Sequence, residues 1–191
     1  VDSGAMYRGV TLYAQQNGLL KNKKLNTQAL LSQQDDIKLR FNDDTLWLND
    51  VDVSDQIRSM QVSEAVSLVA AIPKVRAFLV AQQRIMGNNH SLVMDGRDIG
   101  TVVFPKADLK LFLTADVNIR AQRRFEELSG QNAAISLKQV LNNLMARDHL
   151  DSTRSDSPLI KAVDAITIDA TKFTVASMRN HVLDLVAERL N

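Results

Sequence analysis

The sequence predicts an α/β fold, a parallel sheet flanked by helices, and three observations predict it. Short apolar runs at Leu92-Val93-Met94, Leu109 to Ala115 and Ala165 to Ala170 have the length and aliphatic content of strands. Helical patterns separate and follow these runs, and strands alternating with helices build βαβ units with a parallel sheet. Finally, the first run leads straight into Asp95-Gly96-Arg97-Asp98, four residues with three charges. In open α/β sheets ligands bind beyond the carboxyl ends of strands, so this turn stands where chemistry is expected.

Taken in order, Val1 reads as the end of a strand, and Asp2 or Ser3 as the N-cap of a helix that carries Arg8 about one turn in. Leu25 to Gln34 reads as a short helix. Ile37 to Phe41 alternates apolar and polar residues at period two, Asn42-Asp43-Asp44 supplies a turn, and Thr45 to Leu48 returns, which predicts a hairpin. An antiparallel hairpin inside an alternating α/β pattern marks an inserted subdomain, and Asp52 to Arg58 leads out of it.

Two helices follow, Ser59 to Ala71 and Lys74 to Met86, with Pro73 suited to a first helical position. Val62, Val66 and Val69 form the apolar stripe of one, and Val75, Phe78 and Leu79 that of the other; Ser67 and Arg76 are polar positions among them. Gly87-Asn88-Asn89 makes the turn before Leu92. Beyond the second strand, Asp116 to Leu128 is helical and carries Arg120, Arg123 and Arg124, with Ser129-Gly130 ending it. Ser136 caps a periodic helix with Leu137, Val140, Leu141, Leu144 and Met145 on one face, and Arg147, Asp151 and Arg154 recur at i, i+4 and i+7. These arginines around a Ser-Gly-Gln-Asn loop suit either a salt-bridged surface or a mobile lid closing on phosphates, since a guanidinium pairs bidentately with phosphate oxygens. Val175, Met178, Val182, Leu185 and Val186 mark a closing amphipathic helix, expected to pack on the core.

Bulk properties exclude several classes. The chain has 191 residues, 45% hydrophobic and 24% charged, enough for one ordinary domain with a core. A net charge of +1 gives no case for general affinity to nucleic acid or membrane, so any basic site is local. Without cysteine there are no disulfides or thiolate metal sites, which fits an intracellular compartment. His90, His149 and His181 have no metal-ligand spacing, and no apolar run approaches the ~20 residues that span a bilayer.

Together, Asp2-Ser3-Gly4-Ala5-Met6-Tyr7-Arg8, Asp52-Val53-Ser54 with Ile57-Arg58, Ser67 with Pro73 and Val75-Arg76, Asp95 to Pro105, and Arg147-Asp148 with Asp151 and Arg154 form an ordered set over the whole chain. The set resembles the bacterial cytidylate kinases, nucleoside monophosphate kinases of the P-loop class. The resemblance implies a P-loop kinase fold in a single domain: core at 1–24 and 88–118, a nucleoside-monophosphate-binding subdomain at 25–87, a helical lid region at 119–158, and core again at 159–191.

It also implies transfer of the γ-phosphate of ATP to CMP or dCMP, with Mg²⁺, by a cytoplasmic monomer with no nucleic-acid or membrane partner. Ser67, Arg76 and Asp98 would read cytosine; Ser3, Arg8 and Arg97 would meet the CMP phosphate; Asp151 and Arg154 would hold the sugar. Arg123, Arg124 and Arg147 would stabilise the transferred phosphoryl group, Asp95 would serve Mg²⁺ directly or through water, and adenine contacts would fall near Asp169 to Thr171.

A Walker A loop, Gly-x-x-x-x-Gly-Lys-Ser/Thr, is required for the ATP phosphates, yet no Gly-Lys pair occurs in the sequence. In the family that loop precedes the Asp-Ser-Gly segment, so one further β-loop-α unit of roughly thirty residues is expected ahead of Val1. Its strand is expected in the middle of the sheet, between those ending at Val1 and at Met94, and the 21.2 kDa chain without it is expected to bind CMP but not to transfer phosphate. Two alternatives stand beside this reading. One is another P-loop small-molecule kinase of shikimate or gluconate type, and the other is a non-catalytic nucleotide-binding fragment.

Overall fold

The structure is a computed structural model describing residues 1–88, 91–129 and 135–190. It comprises two compact units, Val1–Ile99 with Arg154–Pro158, and Gly100–Thr153 with Leu159–Asn191.

The first unit is built around α1 (Ser3–Gln16), which starts where the Asp2 carboxylate accepts a hydrogen bond from the Ala5 N–H at 3.0 Å. Its buried residues, among them Met6, Tyr7, Val10 and Tyr13, extend round most of the helix, as expected of one enclosed by other elements. Gly9 permits the closest approach: a Cβ there would lie 2.9 Å from Leu39 Cδ2 and 3.1 Å from Leu46 Cδ2. Those leucines belong to β3 (Leu39–Asn42) and β4 (Thr45–Leu48), the antiparallel hairpin that the alternation predicts, with Asp43 at φ 50° in the turn.

Before it come a small hairpin, β1 (Leu20–Lys21) and β2 (Lys24–Leu25), and α2 (Thr27–Ser32), capped by the Asn26 side chain. A strand not expected from the sequence, β5 (Val51–Asp52), extends the β4 edge. The residues between, Asn49 and Asp50, take φ 47° and 63°, the left-handed pair that closes a two-residue hairpin, so the signal was the Asn-Asp dipeptide. The helices α3 (Met60–Ala70) and α4 (Pro73–Gly87) then bury Val62, Val66 and Val69 on one and Val75 and Leu79 on the other.

Two expectations are corrected here. Leu92-Val93-Met94 is not a buried strand: Val93 is 85% exposed, and pairing is confined to a parallel bridge between Asp2 and Asp95. The pairing there comprises Val1 N–H to Val93 O (2.6 Å), Asp95 N–H to Val1 O (3.1 Å) and Ser3 N–H to Asp95 O (3.1 Å). Those same bonds show that the segments ending at Val1 and Met94 are direct neighbours, so no strand lies between them. Asn89 and His90, part of the expected turn, lie outside the described residues.

In the second unit β6 (Leu111–Thr114) and β7 (Ile166–Asp169) pair in parallel, Leu111 opposite Ile166 and Thr114 opposite Asp169, as the α/β alternation requires. Between them in sequence, α5 (Val117–Ser129) and α6 (Leu137–Thr153) pack on one another, burying Ala121, Leu128 and Val140. Ser136 and Gln139 form a reciprocal cap at the start of α6: the Ser136 hydroxyl accepts from Gln139 N–H, and the Gln139 side chain accepts from Ser136 N–H at 2.9 Å. The residues from Gly130 to Ala134, where the mobile loop was expected, lie outside the described residues.

The closing helix α7 (Val175–Leu190) departs from its expected packing. Met178, Val182, Leu185 and Val186 are only half-buried and Val175 is 91% exposed. Among the described residues, no helix is long and apolar enough to cross a membrane.

Candidate active site

The first unit gathers its polar groups on the turn after Met94. Asp95 is fixed from the side of α1: the Ser3 hydroxyl donates to its carbonyl at 2.6 Å, and Ser3 itself is buried. Gly96 is required by this closeness, because a Cβ there would collide with the Ser3 hydroxyl and come within 2.8 Å of Ile99 Cγ1. The Asp95 carboxyl is held above the usual carboxylate range, chiefly by partial desolvation and next by the adjacent Asp2 carboxylate. Arg97 is exposed on the turn, while Asp98 points inward and is buried. A π-helical turn over Ile99–Val103 follows, the kind of irregularity often found beside functional sites.

Asp98 meets Arg76. The Arg76 Nη2 donates to Asp98 Oδ2, its Nη1 donates to the Ala70 carbonyl at 3.1 Å, and its Nε lies 3.9 Å from Asp156 Oδ1. Both partners of the main pair are almost wholly enclosed, with side-chain exposures of 3% and 6%. The sequence explains the placement: Pro73 starts α4, so Arg76 falls at the end of its first turn, facing back toward the last turn of α3, on which Ser67 is also buried. The guanidinium lies over the Tyr7 ring, 5.4 Å from its centroid. Arg8, on α1, donates to the Ile57 carbonyl at 3.2 Å. Arg154 grips the Ser157 carbonyl with Nε and Nη2 at 2.9 and 2.7 Å, across a turn in which Ser157 takes φ 48°.

In the second unit, three arginines of α5 have distinct partners. Arg120 pairs with Asp148 of α6 at 2.7 Å, and Arg124 pairs with Glu127 on its own helix at 2.7 Å. Arg123 sends one nitrogen to the carbonyls of Ala170, Thr171 and Phe173 at 3.0–3.1 Å, anchoring α5 to the turn after β7. Arg147 is half-buried on α6, and Asp151 is buried near its end, its carbonyl accepting from Leu159 N–H at 2.8 Å.

The structure thus joins Arg76 to Asp98 and Ser3 to Asp95 within one unit that also holds Arg8, Ser67, Arg97 and Arg154. Arg123, Arg124, Arg147 and Asp151 belong to the other. Two participants were missed from the sequence. Asp156, beside Arg76, gave no periodic signal because it sits in an irregular turn; Tyr7 sits in a motif already singled out, but reads there as a core aromatic. Among the described residues no three carboxylates or histidines cluster as a protein cage for a metal. One or two carboxylates are nevertheless what Mg²⁺ uses when phosphates and waters complete its shell, and Asp95 with neighbouring Asp2 offers hard oxygen donors of that kind.

Comparison with known proteins gives the family. A family model described as cytidylate kinase matches residues 1–188. A cytidylate kinase of Flavobacterium psychrophilum is 48% identical over 97% of this chain and 85% of its own length. Those of Phocaeicola vulgatus and Porphyromonas gingivalis are 45% and 43% identical, over 100% and 98% of this chain and 86% and 84% of their own lengths.

Proposed function

The chain belongs to the cytidylate kinase family and is a nucleoside monophosphate kinase; from that premise we propose that it transfers the γ-phosphate of ATP to CMP or dCMP, as a cytoplasmic monomer using Mg²⁺. The observation that carries the reading is the buried Arg76–Asp98 pair. Cytosine presents an amino donor beside a ring-nitrogen acceptor and a carbonyl acceptor. A carboxylate and the Ser67 hydroxyl complement the donor, and a guanidinium complements the acceptors. Uracil would turn a carbonyl toward Asp98, and a buried carboxylate left facing an acceptor is the strongest kind of rejection.

Residues 25–87 serve in this reading as the nucleotide-monophosphate subdomain, and 119–158 as the lid. Arg8 and Arg97 clamp the CMP phosphate near Ser3, and Asp151 and Arg154 hold the sugar hydroxyls. Arg123, Arg124 and Arg147 neutralise charge on the transferred phosphoryl group, and adenine contacts fall near Asp169 to Thr171. Asp95 would hold Mg²⁺ directly or through a water, and the ion would supply positive charge to offset that of the ATP phosphates. The remaining work is positioning: the CMP phosphate is set in line with the γ-phosphate and water is excluded. No general base is needed, because the attacking phosphate is already anionic near neutral pH.

The test is Asp98→Ala assayed with ATP and CMP. Cytosine reading requires a fall in kcat/KM for CMP of ~10²-fold or more, the scale of an unpaired buried polar contact. Activity within threefold of wild type would remove Asp98 from cytosine reading.

A further inference from the structure

Tyr7 lies against Arg76 but takes no part in the transfer proposed for this site. It is 7% exposed, and its hydroxyl is buried without a hydrogen-bond partner. Native interiors rarely leave such a group unsatisfied, because desolvation is then uncompensated. Around it, Thr11 donates to the Tyr7 carbonyl at 2.8 Å, the Ser3 hydroxyl donates to Asp95, and Arg76 is bonded through Nη1 and Nη2 to Ala70 and Asp98, while its Nε is likewise buried without a hydrogen-bond partner. Two unsatisfied donors, the Tyr7 hydroxyl and Arg76 Nε, thus lie on one stacked pair of side chains.

Its surroundings are those of the nucleotide site. The ring lies under the Arg76 guanidinium, and the charges acting on the hydroxyl are those of Arg76, Asp98, Arg154 and Asp156. Three of these four are the residues assigned above to the base and the sugar. Burial pushes the phenol up to about 12, so it stays an O–H donor throughout the physiological range.

We propose, building on the CMP reading of this site, that the Tyr7 hydroxyl is a substrate-binding donor whose partner is an oxygen of the nucleoside part of the bound pyrimidine nucleotide. The hydroxyl is unsatisfied in the free protein and satisfied in the complex, so the site carries a small instability that binding removes. Tyr7→Phe keeps the ring and its contact with Arg76 and deletes only the O–H. It should therefore act with opposite sign on the two states: the free protein melts no lower than wild type, while CMP binds 5- to 50-fold more weakly.

The experiment measures the melting temperature of the free proteins, the Kd for CMP and for inorganic phosphate by calorimetry, and KM and kcat, on wild type and Tyr7→Phe. The expected result is an unchanged or raised melting temperature, weakened CMP binding, phosphate binding unchanged, and a raised KM with kcat within threefold. A lowered melting temperature would overturn the proposal, since the hydroxyl would then be partnered in the free protein. Wild type that binds CMP, with Tyr7→Phe binding it equally, would overturn the proposal alone. Wild type that does not bind CMP at all would overturn the functional reading and the proposal with it.

Discussion

Arg76 is the residue on which the site turns, because it brings a positive charge into the interior and stands between two carboxylates, Asp98 and Asp156. Removing one partner of a buried pair leaves the other charged and desolvated, at a cost of about 3–5 kcal/mol. Asp98→Ala is thus expected to lower stability as well as CMP use, and the two effects separate with Asp98→Asn. The amide keeps the shape and presents both a donor and an acceptor, so it can pair with the uracil carbonyl. Steady-state kinetics on CMP and UMP should show the CMP preference of Asp98→Asn reduced at least tenfold; an unchanged preference would remove Asp98 from base selection.

Asp95 supplies the pH dependence at this scale. Its carboxyl is raised by desolvation first and by Asp2 second, so the folded state holds the proton more tightly than the unfolded chain. The sign follows: this group favours the fold at acid pH, and its contribution weakens as pH rises from the ordinary carboxylate value through the raised one. Melting temperatures across that window should fall more for wild type than for Asp95→Asn. Parallel curves would mean that the two states bind the proton equally.

At the scale of elements, the tightest constraint lies where α1 meets the Asp95 turn. Gly96→Ala places a methyl against Ser3 and Ile99, an overpacking expected to cost about 1–3 kcal/mol, measurable by denaturant unfolding. Activity should fall with it, since the same collision moves Asp95. Most elements here were legible in the sequence because their local rules agree with their setting. Asp2, Ser59 and Ser136 cap the helices they precede, Pro73 begins α4, and the alternation over Ile37 to Leu48 gives β3 and β4. Leu92 to Met94 reads as a strand from aliphatic content, which reports burial in general, whereas a strand also needs a backbone alongside, which composition does not reveal. β5 was illegible because Val51 and Asp52 have no pattern of their own and depend on the turn before them.

For the whole molecule, the motif residues told more about function than the fold did. Arg76 and Asp98 stand 22 positions apart, and no periodicity relates them; their pairing became visible only through packing. The partnership of Arg123 with the carbonyls after β7 was likewise hidden, because 47 residues separate it from Ala170. A nucleotide that binds only the folded chain stabilises all of it by mass action. At CMP one hundred times its Kd the gain is about 2.7 kcal/mol, or roughly 5–10 °C for a protein of this size. Scanning calorimetry should show that shift with CMP and a smaller one with UMP at equal concentration; equal shifts would argue against a base-reading site.

The most direct test of the central claim is ADP release from ATP by the full-length protein, measured with and without CMP and again with Asp98→Ala. The expected result is release that depends on CMP, is slower with UMP, and falls by ~10²-fold or more in the variant. ADP release that ignores CMP, or that survives Asp98→Ala unchanged, would contradict it.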